Sequence, residues 1–448
     1  MNGSWQSDAV VEVAPRKIAA NRAIQALYVP VLSVAMGLMF ARMLVMAHML
    51  DIEAFAEFSA VLLVSSLVTM LAAFGLYLDL QRELPVFYFR GDRHSAAALL
   101  GQALIGATGA LVLCSLVALS GVQIAGVRST SVLAGVLHGF SQQVFLIAAS
   151  DGRSRGKPLL FAGENAARAV LILGVAIPVA SLTGSALAVI YTEVVLTLVV
   201  TAAILVRVLR TLRFPLLTVF RMAIGRLHLL SPVSLGSLVL FSILSFLSTS
   251  ADRWLAAELL STPQFAIYAF AWTAMIIALS LQSVVNASFF PFMARTLAGS
   301  GTQAAFRLCC LAAVSVLAAL LLLLMPAVYM SDWAIKAYFP RYEGAVVLLP
   351  VIGAAAAFRL SDFWSGFVIL TGYERRALMA AAFTTAASLA GWALYGHLHR
   401  WQATPLEFAW LAFASAAVNY TILALLSWMI AKQKPDRSAE VETDRGQT

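Results

Sequence analysis

Three arginines, Arg42, Arg168 and Arg359, interrupt apolar stretches of a chain that is 61% hydrophobic and only 12% charged. A guanidinium at mid-bilayer costs roughly 2.5–3.5 kcal/mol on insertion scales, so a cation kept there lines a polar cavity or pairs with a neighbour. Its planar fork offers paired donors to phosphate or carboxylate oxygens. The chemistry these residues suggest is non-covalent capture of an anion. Two of the three have an acid at helical spacing. Glu164 precedes Arg168 by four residues, and Asp362 follows Arg359 by three. Such spacing puts each pair on one helix face. Either the pairs are self-neutralised bridges, or a substrate phosphate competes for the arginine and frees the acid to take a proton. Glu193 has no cation within one turn. It must find a partner on another helix or hold a proton. Glu193, Glu164 and Asp362 are therefore the candidate ion-coupling groups.

Polar side chains on the same stretches could serve a sugar. They are Ser141, Gln142 and Gln143, then Gln282 and Asn286, then Asn419. Gln142, Gln282, Asn286 and Asn419 join the three arginines as candidate substrate-binding residues. Two readings of Arg42 compete, cavity lining and snorkelling to the interface. Arg253 sits nearer a span end and reads as a snorkelling side chain, with Asp252 pairing to a nearby base. His138 is a packing residue or a relay. Trp254, Trp333 and Trp401 read as interface anchors. The cysteines Cys114, Cys309 and Cys310 all fall in apolar runs and form neither a disulfide framework nor a metal pattern. No nucleotide loop or enzyme signature is present, and no cofactor is expected.

The elements that must position these residues are membrane helices. Apolar runs of about 20 residues suffice to span a bilayer, and they recur along the whole chain. Twelve spans are expected, at 23–49, 55–78, 96–119, 127–149, 158–181, 184–206, 229–251, 264–288, 305–330, 345–369, 376–397 and 407–431. Backbone groups in lipid must be satisfied internally, which selects helices. The net charge of +8 does not point to nucleic acid, because the basic residues lie in short connections between spans. With both termini cytoplasmic, the inner side carries 22 of the 30 cations and the outer side five, satisfying the positive-inside rule. The division expected is a cytoplasmic N-terminal segment (1–22), a six-helix lobe (23–207), a linker (208–228), a second six-helix lobe (229–431) and a disordered cytoplasmic tail (432–448). The linker carries arginines separated by Leu, Phe, Val and Ile, and reads as an amphipathic segment on the inner leaflet, a simple connector, or both.

An internal duplication supports two lobes. Ala41-Arg42-Met43-Leu44 is echoed by Asp252-Arg253-Trp254-Leu255 at an offset of 211 residues, and Phe55 to Ala60 by Phe265 to Phe270 at an offset of 210. An even number of spans per half makes the repeats parallel, related by an axis along the membrane normal, with a site between them.

Along these same stretches the sequence resembles the multidrug/oligosaccharidyl-lipid/polysaccharide flippase superfamily, and in particular the Wzx-type polysaccharide-biosynthesis flippases. The resemblance rests on Ala41-Arg42-x-Leu44, Leu50 through Phe58, Phe74-Gly75-Leu76 with Arg82, Asp252-Arg253, Phe265 to Tyr268, Phe290-Pro291 with Arg295, and Tyr338 to Gly344. Asp51, Ala56 and Ala266 stand where that family usually has glycine. The resemblance implies a non-enzymatic carrier in a bacterial cytoplasmic (inner) membrane. It would move a polyprenyl-diphosphate-linked oligosaccharide outward by alternating access, in contact with membrane lipids and other polysaccharide-assembly membrane proteins. Two alternatives remain open from sequence: cation-coupled efflux of small amphipathic compounds, and a membrane-bound glycan-assembly enzyme or non-transporting partner.

Overall fold

The structure is a computed structural model that describes residues 27–71, 76–121, 128–227, 232–398 and 403–433. The expected termini (1–22 and all but the first two residues of 432–448) lie outside the described residues. No strand is present among those described. The first lobe contains α1 (Tyr28–Met49), α2 (Ile52–Leu71), α3 (Leu76–Phe89), α4 (Arg93–Leu119), α5 (Ser129–Ser154), α6 (Pro158–Thr183) and α7 (Ala186–Leu212). A short α8 (Leu216–Gly225) leads to the second lobe. That lobe comprises α9 (Pro232–Leu259), α10 (Thr262–Tyr338), α11 (Leu349–Leu360), α12 (Trp364–Leu370), α13 (Glu374–Leu398) and α14 (Pro405–Lys432).

Every expected span is occupied by helix, with three departures. The eighth and ninth spans run together as α10, interrupted at Gly301, whose φ of 80° only glycine adopts at little cost. The chain doubles back across this break, because Phe270 near the start of α10 meets Phe339 just beyond its end, with ring centroids 5.3 Å apart. The tenth span is broken into α11 and α12 at Ser361–Phe363. The connection after the second span is helical, as α3, with Pro85 inside it.

Local sequence sets the ends. Asp92 caps α4 by accepting from the Ser95 backbone N–H at 2.9 Å. Ser261 with Gln264, and Thr404 with Glu407, form capping boxes at α10 and α14. Bonds from Ser95 hold the Asp92 carboxyl below its ordinary value. Its folded-state value is depressed, so the cap contributes above the ordinary carboxylate range of about 4 and is lost as pH falls through the depressed value. Asp92→Ala is expected to lower the melting temperature in detergent at neutral pH, with the difference from wild type closing in acid.

Within the first lobe α1 packs on α6, α2 on α5, and α5 on α7. Small residues permit the α2–α5 approach. A Cβ at Gly135 would fall 2.7 Å from Val64 Cβ, and one at Gly139 would fall 2.6 Å from the Ser65 carbonyl oxygen. Gly139→Val should therefore destabilise the lobe by about 1–3 kcal/mol, the usual cost of overpacking; a thermal melt of the purified protein checks this. In the second lobe α10 packs on α11, and α14 on α9, α11 and α13.

The lobes touch through α1 and α2 on one side and α9 and α10 on the other. At the end bearing Leu50 their meeting is sealed by aromatics. Tyr342 stacks on Phe270 at 4.5 Å and meets Phe55 edge-on at 5.4 Å, while His48 meets Phe339 at 6.0 Å. The Arg341 guanidinium reaches across to the Leu50 carbonyl oxygen at 3.5 Å.

Candidate functional site

Beneath this seal lies a cavity of about 760 Å³ between the lobes. Both lobes build it. The first contributes α1 from Leu32 to Met43, α2 from Ser59 to Met70, His138, Gln142 and Leu146 of α5, and Asn165 and Arg168 of α6. The second contributes Phe246 to Arg253 of α9 and Phe265 to Leu281 of α10. Away from the seal its lining becomes exposed at Ser33, Gly37, Met70, Ile277 and Leu281.

Three guanidiniums face this space. They belong to Arg42, Arg168 and Arg253. No Asp or Glu lines it among the described residues. Of the two readings of Arg42 the structure shows the cavity-lining one, Arg168 lines the cavity with it, and so does Arg253, whose position near a span end suggests a snorkelling side chain. It does not snorkel, because α9 continues to Leu259 and carries Arg253 into the cavity wall. The repeat already held that signal, since Arg253 is the counterpart of Arg42.

The three cations differ in what neutralises them. Arg42 Nη1 donates to Glu193 Oε2 at 2.5 Å, and both side chains are buried. His138 Nε2 lies 3.1 Å from the same oxygen, and its Nδ1 is 2.7 Å from Ser65 Oγ. Glu193 is thus not unpaired, as its own helix had suggested; its partners come from α1 and α5. Arg168 has no carboxylate within ion-pair distance among the described residues. Its Nη1 donates to Gln142 Oε1, and its guanidinium lies 4.2 Å from the centre of the Phe145 ring. Gln142 Nε2 in turn is 3.3 Å from His138 Nε2, joining Arg168 to the Glu193 network. Arg253 donates to Ser250 Oγ at 2.8 Å and lies 3.6 Å from the centre of the Trp272 ring. Its neighbour Asp252 does not pair with a base either; it accepts from Tyr268 Oη and from Trp272 Nε1, the latter at 3.0 Å. The Nε atoms of Arg42, Arg168 and Arg253 are all buried without a hydrogen-bond partner.

Other expected site residues go elsewhere. Arg359 does not line the cavity. It is buried within the second lobe and donates to the Ser248 carbonyl oxygen. Its expected bridge to Asp362 is not made, because α11 ends at Leu360 and takes Asp362 off the helix face. Asp362 instead accepts from the Ser365 backbone N–H at the start of α12, at 3.2 Å. Glu164 does not bridge Arg168. Arg207 on α7 takes it, beside Asp151 and Arg155 near the other end of the lobe. Gln282 lies behind the wall, with Nε2 3.5 Å from the Asp362 carbonyl oxygen, and Asn419 is buried within the second lobe. The Asn286 side chain lies outside the described residues.

No protein-family model matches the sequence, and no curated protein is significantly similar to it. Solved structures do match in shape along nearly the whole chain. A Vibrio cholerae MATE transporter, VcmN in the bent form, superposes with a TM-score of 0.59 at 15% identity, covering 92% of this chain and 97% of that one. An inward-facing multidrug resistance MATE family transporter of the MOP superfamily gives 0.53 at 15% identity, covering 90% and 94%. A MOP superfamily transporter from Pyrococcus furiosus gives 0.53 at 13% identity, covering 92% and 96%; it is described as having a binding pocket of reverse polarity that suggests a different function. The fold is that of the MATE transporters. Two helical lobes around a central cavity, expected from the repeat, are this architecture.

Proposed function

We propose that the chain carries an anionic amphiphile across a membrane by alternating access, and that the cargo is a polyprenyl-diphosphate-linked oligosaccharide of surface polysaccharide synthesis. The observation that carries this reading is the charge of the cavity: three arginines line it and, among the described residues, no Asp or Glu does. Diphosphate oxygens match such forks bidentately. Around them, Ser33, Ser59, Ser66, Thr69, Gln142 and Asn165 offer hydroxyl and amide partners for sugars. Leu32, Met36, Met70 and Leu281 form apolar wall towards the exposed end, where a lipid tail would leave.

The membrane would be a bacterial cytoplasmic one with both chain ends inside, as the positive-inside distribution supports. The aromatic seal would then face outward, and the structure would be the loading state. Tyr342→Ala should loosen that seal. A cysteine at Ser59, in the cavity just beneath, is expected to react several-fold faster with a membrane-impermeant thiol reagent added from the Leu50 side; an unchanged rate would place the gate elsewhere.

Glu193 is the coupling group we favour. Anion capture by Arg42 would draw its guanidinium off Glu193, leaving a fully buried carboxylate whose remaining partner is His138. Uptake of a cation at Glu193 would then accompany loading, since an uncompensated buried charge is unfavourable. Glu164 and Asp362, engaged with Arg207 and the start of α12, are poorer candidates.

One observation favours a second reading, cation-coupled drug efflux. One of the neighbours is described as a multidrug resistance transporter, and much of the cavity wall is apolar. A lipophilic cation would have to enter beside three arginines, with no carboxylate lining the cavity among the described residues. Reconstitution decides between them. Proteoliposomes should translocate a lipid-diphosphate oligosaccharide and leave lipophilic cations undistributed; the opposite pattern would establish efflux.

A further inference from the structure

The connection between the lobes has a chemistry the transport cycle does not use. From Val194 to Ala251 the chain contains no Asp or Glu, yet it carries Arg207, Arg210, Arg213, Arg221 and Arg226. α8 sits in this stretch and packs against α4. Its docking face is Val219 and Ala223, both buried against Gly101, where a Cβ would fall 2.8 Å from Ala223 Cβ. The flanks are tied to the start of α4 as well. Phe214 meets the His94 ring at 4.8 Å, and Arg226 donates to Ser95 Oγ at 2.8 Å. Asp92, the acid beside Arg226, is already engaged as the α4 cap.

The opposite face is left open. Leu217, Arg221 and Ile224 share it by helical spacing, and all three are exposed, Leu217 by 72% and Ile224 by 61%. Leu216, Arg210 and Arg213 are exposed around it. Arg213 adds an independent observation. It is the one non-glycine residue with positive φ (63°) among those described, at the left-handed turn that ends α7. Glycine would take that conformation at lower cost. An arginine there trades backbone ease for a cation beside α8.

We propose that this face is a docking surface for anionic phospholipid headgroups, holding the first lobe to the leaflet while the second lobe moves. Leu216, Leu217 and Ile224 would enter the headgroup–acyl boundary, and Arg210, Arg213 and Arg221 would meet lipid phosphates. That is the division of labour of an interfacial helix. Each arginine near an anionic surface is worth on the order of a five-fold preference. The surface is separate from the cavity, so this proposal stands whatever the cargo is.

The test places a tryptophan on the open face, Leu217→Trp, in the full chain reconstituted with brominated lipids. Its fluorescence is read as the difference from the parent protein. Brominated phosphatidylglycerol is expected to quench it at least about two-fold more strongly than brominated phosphatidylcholine at equal mole fraction, with the preference falling in high salt. Arg210→Gln/Arg213→Gln/Arg221→Gln should abolish the preference without moving the melting temperature. Arg213→Gly alone should weaken the preference while keeping or raising stability, because the backbone at that turn is relieved. No quenching by either lipid, as with a face in water or under another protein, would overturn the proposal. So would equal quenching that the triple variant leaves unchanged.

Discussion

Arg168→Ala/Arg253→Ala is expected to abolish cargo transport while the protein accumulates in the membrane at wild-type levels. Hydrogen bonds to charged groups are worth about 1.5–3 kcal/mol each. Losing one such interaction from each arginine predicts an affinity drop on the order of a hundred- to ten-thousand-fold. The fold should tolerate the change for a specific reason. Neither guanidinium is paired with a carboxylate among the described residues, so neither removal orphans a buried acid. Gln142 keeps His138 as a neighbour, and Asp252 keeps Tyr268 and Trp272. Surface polysaccharide and membrane protein level, measured in the same cells, check both halves of this expectation.

Arg42→Ala should behave in the opposite way. It leaves Glu193 fully buried, with His138 as its remaining polar partner. Breaking a buried pair from one side costs about 3–5 kcal/mol, because the surviving charge is uncompensated. Loss of the folded protein is therefore expected before any statement about transport becomes possible. Arg42→Ala/Glu193→Ala removes both charges and should recover much of the stability while remaining inactive. Melting temperatures of the two single and the double variant form the cycle that measures this coupling. Additive losses in that cycle would mean that Arg42 and Glu193 do not depend on one another.

Much of the architecture is legible in the sequence, and the reason lies in the solvent. Backbone satisfaction in lipid forces helix, so the apolar runs locate the helices of both lobes from composition alone. What sequence did not yield was the rotation of each helix about its own axis. In a soluble protein the polar face reveals it. Here the outward faces are as apolar as the core, as exposed Leu116, Val199, Leu322 and Phe383 show. Spacing along a single helix is then the pairing signal that sequence offers. It failed at Glu164, captured by Arg207 from α7, and at Arg359, whose helix stops before Asp362 can join it. Arg253 was misplaced because the span was ended too early, although its register with Arg42 pointed to the cavity. Glu193, with no cation on its own helix, meets Arg42 of α1 and His138 of α5 through the fold, and neither partner is legible from the sequence around it.

The central claim is that the cavity selects an anion. Binding of a polyprenyl diphosphate to the purified protein, set beside binding of a lipophilic cation and repeated with Arg168→Gln/Arg253→Gln, measures it directly. Saturable binding of the diphosphate that soluble pyrophosphate competes away is expected, with at least about a hundred-fold loss in the double variant and no saturable binding of the cation. Tight binding of the cation, or diphosphate binding that ignores both arginines, would contradict it.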